Sequence, residues 1–493
     1  MNRYFWKQSF DPNRRLNTFM KKYFLLLTCL VLLVITPGLS AQDSNAYRRV
    51  YTISAPYLTI TDDIEFNSLL CFWNGKCETI EGTDVSSLCI SDEEYQTILN
   101  IFGEEPDHKH IRLLPKAELY TDYNLANAWM IIPFEDIEPR RKIITIDGAD
   151  VLLNKFDPDT WPLTAVMGEI TDDTDITKLP VTNRDASKLT NLVLTGVTAM
   201  VRGTASYMDL DPLYPASLIR EPLVDADILH INNEVPFAEK CNIQEHYNGL
   251  VFCSKPAYMA LLEDIGTDVL ELDGDHFQDH GDEPVLLTLD MYDERGLPYY
   301  GGGHNKQEAQ QPLLIDHNGN RFAFLGCNGK EIGYAAASDT RPGAVHCDID
   351  LMKQQIRNLR MQGIIPIVTF QHLEVFQVRA IDEVRADFEA VRDAGAVIVS
   401  GSQSHIPMEF DVSSTYFIHY GLGNLFFDQA FFLPETAEAF IDRHIFYNGR
   451  YINTELLTIR FTNNALSHYM DPEDRAQLLD RIFAVSEVRG ISE

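Results

Sequence analysis

Five apolar runs between residues 190 and 410 each end in a cluster of polar residues. They read NLVLTGVT (191–198), DILHINNE (227–234), DVLELDGDHFQDHG (268–281), IIPIVTFQHLE (364–374) and AVIVSGSQSH (396–405). Short apolar runs bounded by turn residues are typical of buried strands. Because ligands bind beyond the carboxyl ends of strands in open α/β sheets, we expect these polar ends to form one site.

Segments with helical periodicity separate these runs and predict a layered α/β domain over residues 190–461. Three of them, 257–266, 348–363 and 382–395, end in Gly, and a β-rich run follows each. Glycine directly after an amphipathic segment is a helix-stop signal, and alternating helices and strands favour layered packing. A further helix is predicted at 472–488, in a C-terminal helical tail that spans residues 462–493.

Residues 47–185 predict a smaller N-terminal α/β domain. Strands are expected at 50–56, 127–137 and 141–148, with a helix at 92–103. This pattern faintly resembles the lobes of periplasmic solute-binding proteins. The polar, aspartate-rich stretch 171–188 predicts the linker to the second domain.

The N-terminus predicts a secretory signal over residues 1–41, with Met20 as an alternative start. Lys21 and Lys22 precede an apolar stretch of about 14 residues, and small residues follow near Ala41. A retained signal anchor is the alternative, although the stretch is shorter than the about 20 residues that span a membrane. We therefore expect an extracytoplasmic location: secreted, periplasmic or on the cell surface.

The cysteines are disulfide candidates in that location. Of the eight, seven follow the predicted signal. Cys241 with Cys253 and Cys327 with Cys347 are the preferred pairs because they are close in sequence. Cys71, Cys77 and Cys89 leave one odd thiol.

The net charge of -33, from 73 acidic and 40 basic residues, argues against two classes of partner. A strongly acidic surface repels nucleic acid and anionic lipid. We therefore expect no nucleic-acid partner, and membrane contact only through a retained anchor.

The densest polar cluster is DGDHFQDHG at 273–281. Asp275 could ligate a divalent metal, and His276 could serve as a general acid or as a ligand. Asp279 could orient a histidine. The alternative interpretation of this segment is a solvated acidic turn, because Asp, Gly and His are common in loops.

The other strand ends add candidate ligands and candidate substrate contacts. Imidazole, carboxylate and amide groups together suit Mn, Zn or Fe, as one ion or two. A helix cap or a satisfied strand-end histidine is the structural alternative at several of these positions. The candidate metal ligands are Glu234, Asp275, His372, Gln403 and His405, and the candidate substrate contacts are Asn232, Glu374 and Asn424.

Segments over roughly residues 190–430 together resemble the CapA family of poly-γ-glutamate capsule synthesis proteins. They are TGVTAMVR, DILHINNE, ELDGDHFQDHG, YYGGGHNKQEAQQPLLI, FAFLGCN, VTFQHLE, AGAVIVSGSQSH and YFIHYGLGNLFFDQ. The resemblance implies a fold related to calcineurin-like metallophosphatases: a layered β-sandwich flanked by helices, with a metal site at one edge.

Carried over position by position, the resemblance matches Glu234 to the Glu of an Asn-Leu-Glu motif. Asp275 and His276 match an Asn-Asn-His motif, and Gln403 and His405 match two histidines. His372 or Glu374 matches a His-Trp-Gly-x-Glu segment. The chain departs from the family at Val197, which stands where a Gly-Asp motif has its carboxylate, at Asp275 for Asn, and at Gln403 for His.

Two functions follow from the resemblance. One is a metal-dependent hydrolase acting on a phosphoester or an amide in a cell-envelope or capsule polymer, with His276 protonating the leaving group. The other is a non-catalytic accessory protein for synthesis or export of such a polymer, in contact with the synthesis machinery. Val197 in place of the first carboxylate leaves both open.

Overall fold

The computed structural model describes residues 46–121, 128–169, 182–244, 249–330, 333 and 335–490. The predicted signal segment, and most of the predicted linker, lie outside these ranges. Within them, no helix combines the length and the apolar character that crossing a bilayer requires.

The N-terminal part is one mixed sheet with helices, as the sequence pattern predicts. Its helices are α1 (Phe66–Trp73), α2 (Tyr95–Phe102) and α3 (Lys116–Thr121). Its strands are β1 (Ala46–Pro56), β2 (Asp63–Ile64), β3 (Leu88–Ser91), β4 (Ile111–Leu114), β5 (Trp129–Pro133), β6 (Arg141–Ile146) and β7 (Thr164–Glu169). The strand order is β2-β6-β1-β5-β3-β4, and β7 pairs with β1.

From residue 189 onward the chain builds two large sheets, of nine and seven strands. Their helices are α4 (Arg202–Met208), α5 (Arg220–Val224), α6 (Met259–Asp264), α7 (Asp282–Arg295), α8 (Lys306–Ala309), α9 (Ile349–Met361), α10 (Asp382–Ala394) and α11 (Pro472–Phe483). The first nine strands are β8 (Leu189–Thr195), β9 (Val197–Thr198), β10 (Ile228–Asn233), β11 (Val269–Glu271), β12 (Tyr299–Tyr300), β13 (Gly302–Gly303), β14 (Leu313–His317), β15 (Asn320–Asn328) and β16 (Gly343–Ala344). The others are β17 (Ile365–Gln371), β18 (Ile398–Gly401), β19 (Phe410–Val412), β20 (Phe417–His419), β21 (Asn424–Phe426), β22 (Glu438–Tyr447), β23 (Arg450–Thr462), β24 (Leu466–Tyr469) and β25 (Glu487–Val488).

The first large sheet has the order β12-β11-β10-β8-β22-β23-β24; β9 pairs with β10, and β21 pairs with β9. The second has the order β14-β15-β17-β18-β20-β19-β25. Strands β8, β10, β11 and β12 run parallel, as do β15, β17, β18 and β20. Residues 462–490 therefore supply strands to both sheets, in addition to the predicted helix.

The two large sheets pack face to face, and helices cover both outer faces. Leu194 and Ile228 of the first sheet share a buried cluster with Phe324 and Ile367 of the second. A second cluster packs α4 to α7 against the first sheet, and a third packs α9 and α10 against the second. This is the layered β-sandwich flanked by helices that the resemblance implied, and the fold prediction is confirmed.

Local signals explain where the main helices begin and end. The Asp348 side chain accepts a hydrogen bond from the backbone N–H of Leu351 and so caps the start of α9. Helix α10 ends at Gly395, whose φ of 115° is a left-handed conformation that favours glycine. Both helices bury one stripe of apolar side chains and expose the rest, which places them on the outside of the sandwich.

Three disulfides hold loops of the chain. Cys241–Cys253 and Cys327–Cys347 form as preferred from the sequence, and Cys71 pairs with Cys77. Among the described cysteines Cys89 is unpaired, and it is buried.

One buried histidine makes the stability of the sandwich depend on pH. His444 on β22 is fully buried and shares a hydrogen bond of 2.7 Å between its Nδ1 and Thr454 Oγ1. Burial lowers its pKa from 6.5 to about 4, because the interior disfavours the charged imidazolium. His444 is therefore neutral in the folded chain, whereas the unfolded chain binds a proton below its ordinary pKa.

We predict that acidification destabilises the wild-type protein more than a His444→Gln variant. The stabilisation is present above the unfolded pKa and is lost as the pH falls from about 6.5 toward about 4, on the order of 2 kcal/mol between pH 7 and pH 5. Urea unfolding midpoints at the two pH values measure the difference. Equal pH dependence in the two proteins would contradict the assignment.

Candidate metal centre

The carboxyl ends of strands from both large sheets meet at one edge of the sandwich. Glu234 follows β10 and Asp275 follows β11 in the first sheet. Lys330 follows β15, Glu374 follows β17 and His405 follows β18 in the second. Parallel strands end on the same side of a sheet, so two facing sheets bring side chains that are far apart in sequence into one place.

Glu234, Asp275 and His276 form the centre of this site. One ligand atom of each lies within 4.8 Å of the others. His276 Nε2 is 3.9 Å from both Glu234 Oε1 and Asp275 Oδ2. The Glu234 side chain is 1% exposed, and its burial beside the Asp275 charge raises its pKa to about 8. Without a cation beside it, Glu234 is therefore largely protonated at neutral pH, and a bound cation would favour its charged form.

Asp279, the candidate orienting carboxylate, contacts the His276 ring. Its Nδ1 lies 2.6 Å from Asp279 Oδ2, and the same oxygen accepts the backbone N–H of Phe252 at 2.7 Å. Burial lowers the pKa of His276, but the hydrogen bond to Asp279 and the charges of Asp275 and Glu234 outweigh it and raise the pKa to about 9. In the absence of a metal ion, His276 is therefore a proton-bearing imidazolium at neutral pH.

Lys330, Glu374 and His405 form the other half of the site. Lys330 Nζ lies 2.5 Å from Asp275 Oδ2 and 3.9 Å from Glu374 Oε2. Glu374 Oε1 lies 3.6 Å from His405 Nε2. Asp275 thus links both halves, with His276 on one side and an ammonium group on the other.

Backbone strain and Asn424 together fix His405. The residue has a φ of 56°, a left-handed conformation that is uncommon for histidine and that concentrates at functional sites. Asn424 donates its Nδ2 to the Thr436 carbonyl oxygen, so its Oδ1 accepts from His405 Nδ1 at 2.9 Å. Burial lowers the pKa of His405, which leaves a neutral ring with the Nε2 lone pair toward Glu374.

Aromatic rings and a buried arginine wall one side of the site. The Phe252 ring lies 4.7 Å from the His276 ring, and the Phe427 ring lies 5.3 Å from the His405 ring. The Arg202 guanidinium lies over both phenylalanine rings, at 4.6 and 5.5 Å. Arg202 also has a left-handed φ of 48°. The sequence pattern singled out none of these three residues.

The donor set fits a divalent cation. Both oxygens of Glu234 and Oδ1 of Asp275 are buried and have no hydrogen-bond partner among the residues that the structure describes. A buried carboxylate oxygen without a partner is strongly unfavourable, and coordination of a metal ion is one of the few ways to satisfy it. Carboxylate oxygens with a nearby imidazole suit Mn, Zn or Fe.

The structure does not bring His372 and Gln403 to this cluster. His372 Nε2 lies 2.9 Å from Asp387 Oδ2 of α10, and both His372 and Gln403 line a small pocket beneath that helix. Side chains alternate between the faces of a strand, so Gln371 and Ser402, one position earlier, point between the sheets instead. A metal-ligand role for His372 and Gln403 stays a prediction from sequence.

Asn232 lies beneath the site, in a buried polar network, rather than at its surface. Its side chain bonds to Ser402 and Gln371, each at 3.3 Å. Ser402 also bonds to Glu271. Burial and the Glu271 charge raise the pKa of Asp273 well above its ordinary value, whereas His230 helps to lower the pKa of Glu271, so Asp273 is the protonated carboxyl group of the two. The network supports the strand ends from below.

Val197 occupies the first strand end, and it is fully buried. The loop around it leaves little space: a Cβ on Gly196 would lie 1.9 Å from the Gly423 carbonyl oxygen. Lys330, in contrast, enters the site without having been predicted. Its only signal in the sequence is its place two residues after the apolar run FAFLGCN (322–328), near a strand end like the other polar residues of the site.

The architecture and the site together define a layered α/β protein with a metal-competent acidic centre at the shared edge of two sheets. Residues 191–429 match the sequence model of the family described as "Bacterial capsule synthesis protein PGA_cap". This match covers just under half of the chain and includes the candidate site, so the second domain is similar to that family, in agreement with the resemblance. The N-terminal sheet lies outside the match.

Two curated relatives carry names from capsule synthesis. The chain is 26% identical over 277 residues to "Capsule biosynthesis protein CapA" of Bacillus anthracis, and this alignment covers 55% of this chain and 67% of the relative. It is 24% identical over 257 residues to "PGA biosynthesis protein CapA" of Bacillus subtilis (strain 168), which covers 51% of this chain and 64% of the relative. The chain thus spans about two thirds of the length of these relatives.

Likenesses to solved structures are weaker. The NAD nucleotidase NadN of Haemophilus influenzae aligns with a TM-score of 0.33 at 11% identity, over 61% of this chain and 57% of that one. A 5'-nucleotidase precursor from Thermus thermophilus aligns with a TM-score of 0.33 at 11% identity, over 60% of this chain and 59% of that one. At these scores, neither likeness supports a conclusion about this chain.

We predict that Gly274→Ala destabilises the protein and disturbs the centre. A Cβ at Gly274 would lie 2.5 Å from the Glu234 carbonyl oxygen and 2.6 Å from its Cα, so the backbone that carries Glu234 must shift. Overpacking of this kind costs about 1–3 kcal/mol. Denaturant midpoints measure the loss. Gly249→Ala is the matched control, because a Cβ there meets nothing within 4 Å; equal midpoints for the two variants would contradict the prediction.

Proposed function

We propose that this protein is an extracytoplasmic, metal-dependent hydrolase that acts on a phosphoester or an amide in a capsule or cell-envelope polymer. One observation carries the proposal. Buried, unpartnered oxygens of Glu234 and Asp275 lie beside a histidine that a carboxylate orients. A hydrolase needs this combination of a cation position and an adjacent proton donor.

Glu234 and Asp275 are the residues that would hold the ion, and the neutral His405 is a further donor on the same edge. A divalent ion there supplies Lewis-acid polarisation and activates water. His276 supplies the proton to the leaving group. Asp279 keeps the His276 ring oriented and favours its protonated form, so its role is positioning.

The substrate class follows from the family and from the site. The names of the relatives concern capsule and PGA biosynthesis, and we carry that association over to this chain as part of the proposal. Polymers of this kind are anionic, whereas this chain has a net charge of -33. Contact with the polymer therefore depends on local cations, of which Arg202, Lys330 and His276 are the ones at the site.

The proposed location rests on the cysteines. Three disulfides are typical of a protein that folds in an oxidising compartment. The predicted secretory signal agrees with this, and it lies outside the described residues. Together they support export as part of the proposal.

We predict that His276→Ala abolishes hydrolysis and leaves the metal content unchanged. The acid role requires the proton on His276, whereas the carboxylates that hold the ion stay in place. Elemental analysis and turnover of phosphomonoester, phosphodiester and γ-glutamyl amide probes measure both quantities. A Glu234→Gln/Asp275→Asn double variant is the comparison, and we expect it to lose both the ion and turnover.

Two results would change the assignment. Loss of the ion from His276→Ala would make His276 a ligand instead of the acid. Turnover at wild-type rate in His276→Ala would remove it from the reaction altogether.

A second candidate function is a non-catalytic accessory role in synthesis or export of the polymer. The buried Val197, at the strand end where the family carries a carboxylate, favours it. It predicts polymer binding by the wild-type protein with hydrolysis at the level of the double variant. Measurable turnover that depends on added metal would exclude it as the whole function.

A further inference from the structure

Lys330 has two carboxylate partners inside the site. Its Nζ contacts Asp275 Oδ2 at 2.5 Å and approaches Glu374 Oε2 at 3.9 Å. The Lys330 side chain is 19% exposed and that of Asp275 is 4% exposed. This ion pair differs from an ordinary surface ion pair, in which both side chains are solvated and which contributes little to the stability of the fold.

A disulfide and backbone hydrogen bonds fix the loop that carries Lys330. Cys327 and Cys347 join the two ends of the loop that carries it, and backbone hydrogen bonds from Asn328 to Val345 and from Cys347 to Asn328 reinforce the closure. The Asn328 side chain also accepts the backbone N–H of Lys330 at 2.8 Å. The ammonium group is therefore a fixed part of the site.

Lys330 already supplies a positive charge to one side of the site. Its ammonium group lies between Asp275 and Glu374. The two oxygens of Glu234, in contrast, have no hydrogen-bond partner among the residues that the structure describes. The position beside Glu234 is therefore the one where a divalent cation fits.

We propose that the Lys330 ammonium occupies a cation position between Asp275 and Glu374. The centre therefore binds one metal ion, whereas it would bind two ions with an uncharged residue at position 330. The inference rests on the proposed metal centre and defines its stoichiometry. Without the ammonium, Asp275 and Glu374 would lose the cation between them, and His405 Nε2 lies 3.6 Å from Glu374. A small closure of these three side chains would then give a second ion two oxygen donors and one nitrogen donor.

The test is the number of Mn²⁺ or Zn²⁺ ions bound by the full chain. The chelator-treated wild-type protein, Lys330→Met and Lys330→Arg are titrated with MnCl₂ or ZnCl₂ by calorimetry, and elemental analysis follows dialysis. We expect about one ion per chain for the wild type and for Lys330→Arg, which keeps the charge, and about two for Lys330→Met. Lys353→Met is the matched control, because Lys353 pairs with Asp350 on the exposed face of α9; we expect it to bind like the wild type.

Each outcome separates this inference from the proposed function. Two ions in the wild type, or one ion in both the wild type and Lys330→Met, would overturn the role of Lys330 and leave the metal centre standing. No ion in the wild type but one in Lys330→Met would support the role of Lys330 and overturn the metal centre of the natural chain. No ion in either protein would overturn both.

If Lys330→Met does not fold, a second variant tests the role of Lys330. Far-UV circular dichroism and the melting temperature of the chelated proteins identify that case. Lys330→Gln then replaces it, because glutamine retains hydrogen bonding to Asp275 without the charge. We expect the same two ions, and one ion would count against the inference.

Discussion

Buried negative charge at the shared edge of the two sheets is the constraint on which the rest of the site depends. The sandwich brings the buried Glu234 and Asp275 together with the more exposed Glu374 because strands of both sheets end there. Buried carboxylates repel one another and lack solvation, so each needs a cation or a proton. Lys330 and the imidazolium of His276 meet that need on two sides of Asp275, and the unpartnered oxygens of Glu234 mark the place where a further cation fits.

Rigid support surrounds this charge. The hydrogen bonds that Asn232 makes with Ser402 and Gln371, and that Ser402 makes with Glu271, hold the strand ends from below. Above them, His405 is held in an uncommon backbone conformation. Such strain persists only where the surrounding structure over-determines it, as it does here through Asn424 and close packing. The fold thus fixes the donors before any ligand arrives.

Much of the fold and of the site could be predicted from the sequence, because polar residues after apolar runs mark the ends of strands. That signal anticipates the layered fold and the meeting of Glu234, Asp275 and His276. It does not fix which face a side chain takes, since one position along a strand reverses its direction, and this separates His372 from Gln371. Lys330 was missed because an ammonium group is no metal ligand, although it follows a strand end like the others.

The disulfide between Cys327 and Cys347 ties the internal counter-charge of the site to the redox state of its surroundings. The acidic residues come from strand ends that the fold positions by itself, whereas the loop that carries the ammonium is closed by a covalent bond. That bond forms in an oxidising compartment and is absent where thiols are kept reduced. In a reduced chain the carboxylates would keep their places, while the loop with Lys330 would be held by hydrogen bonds alone.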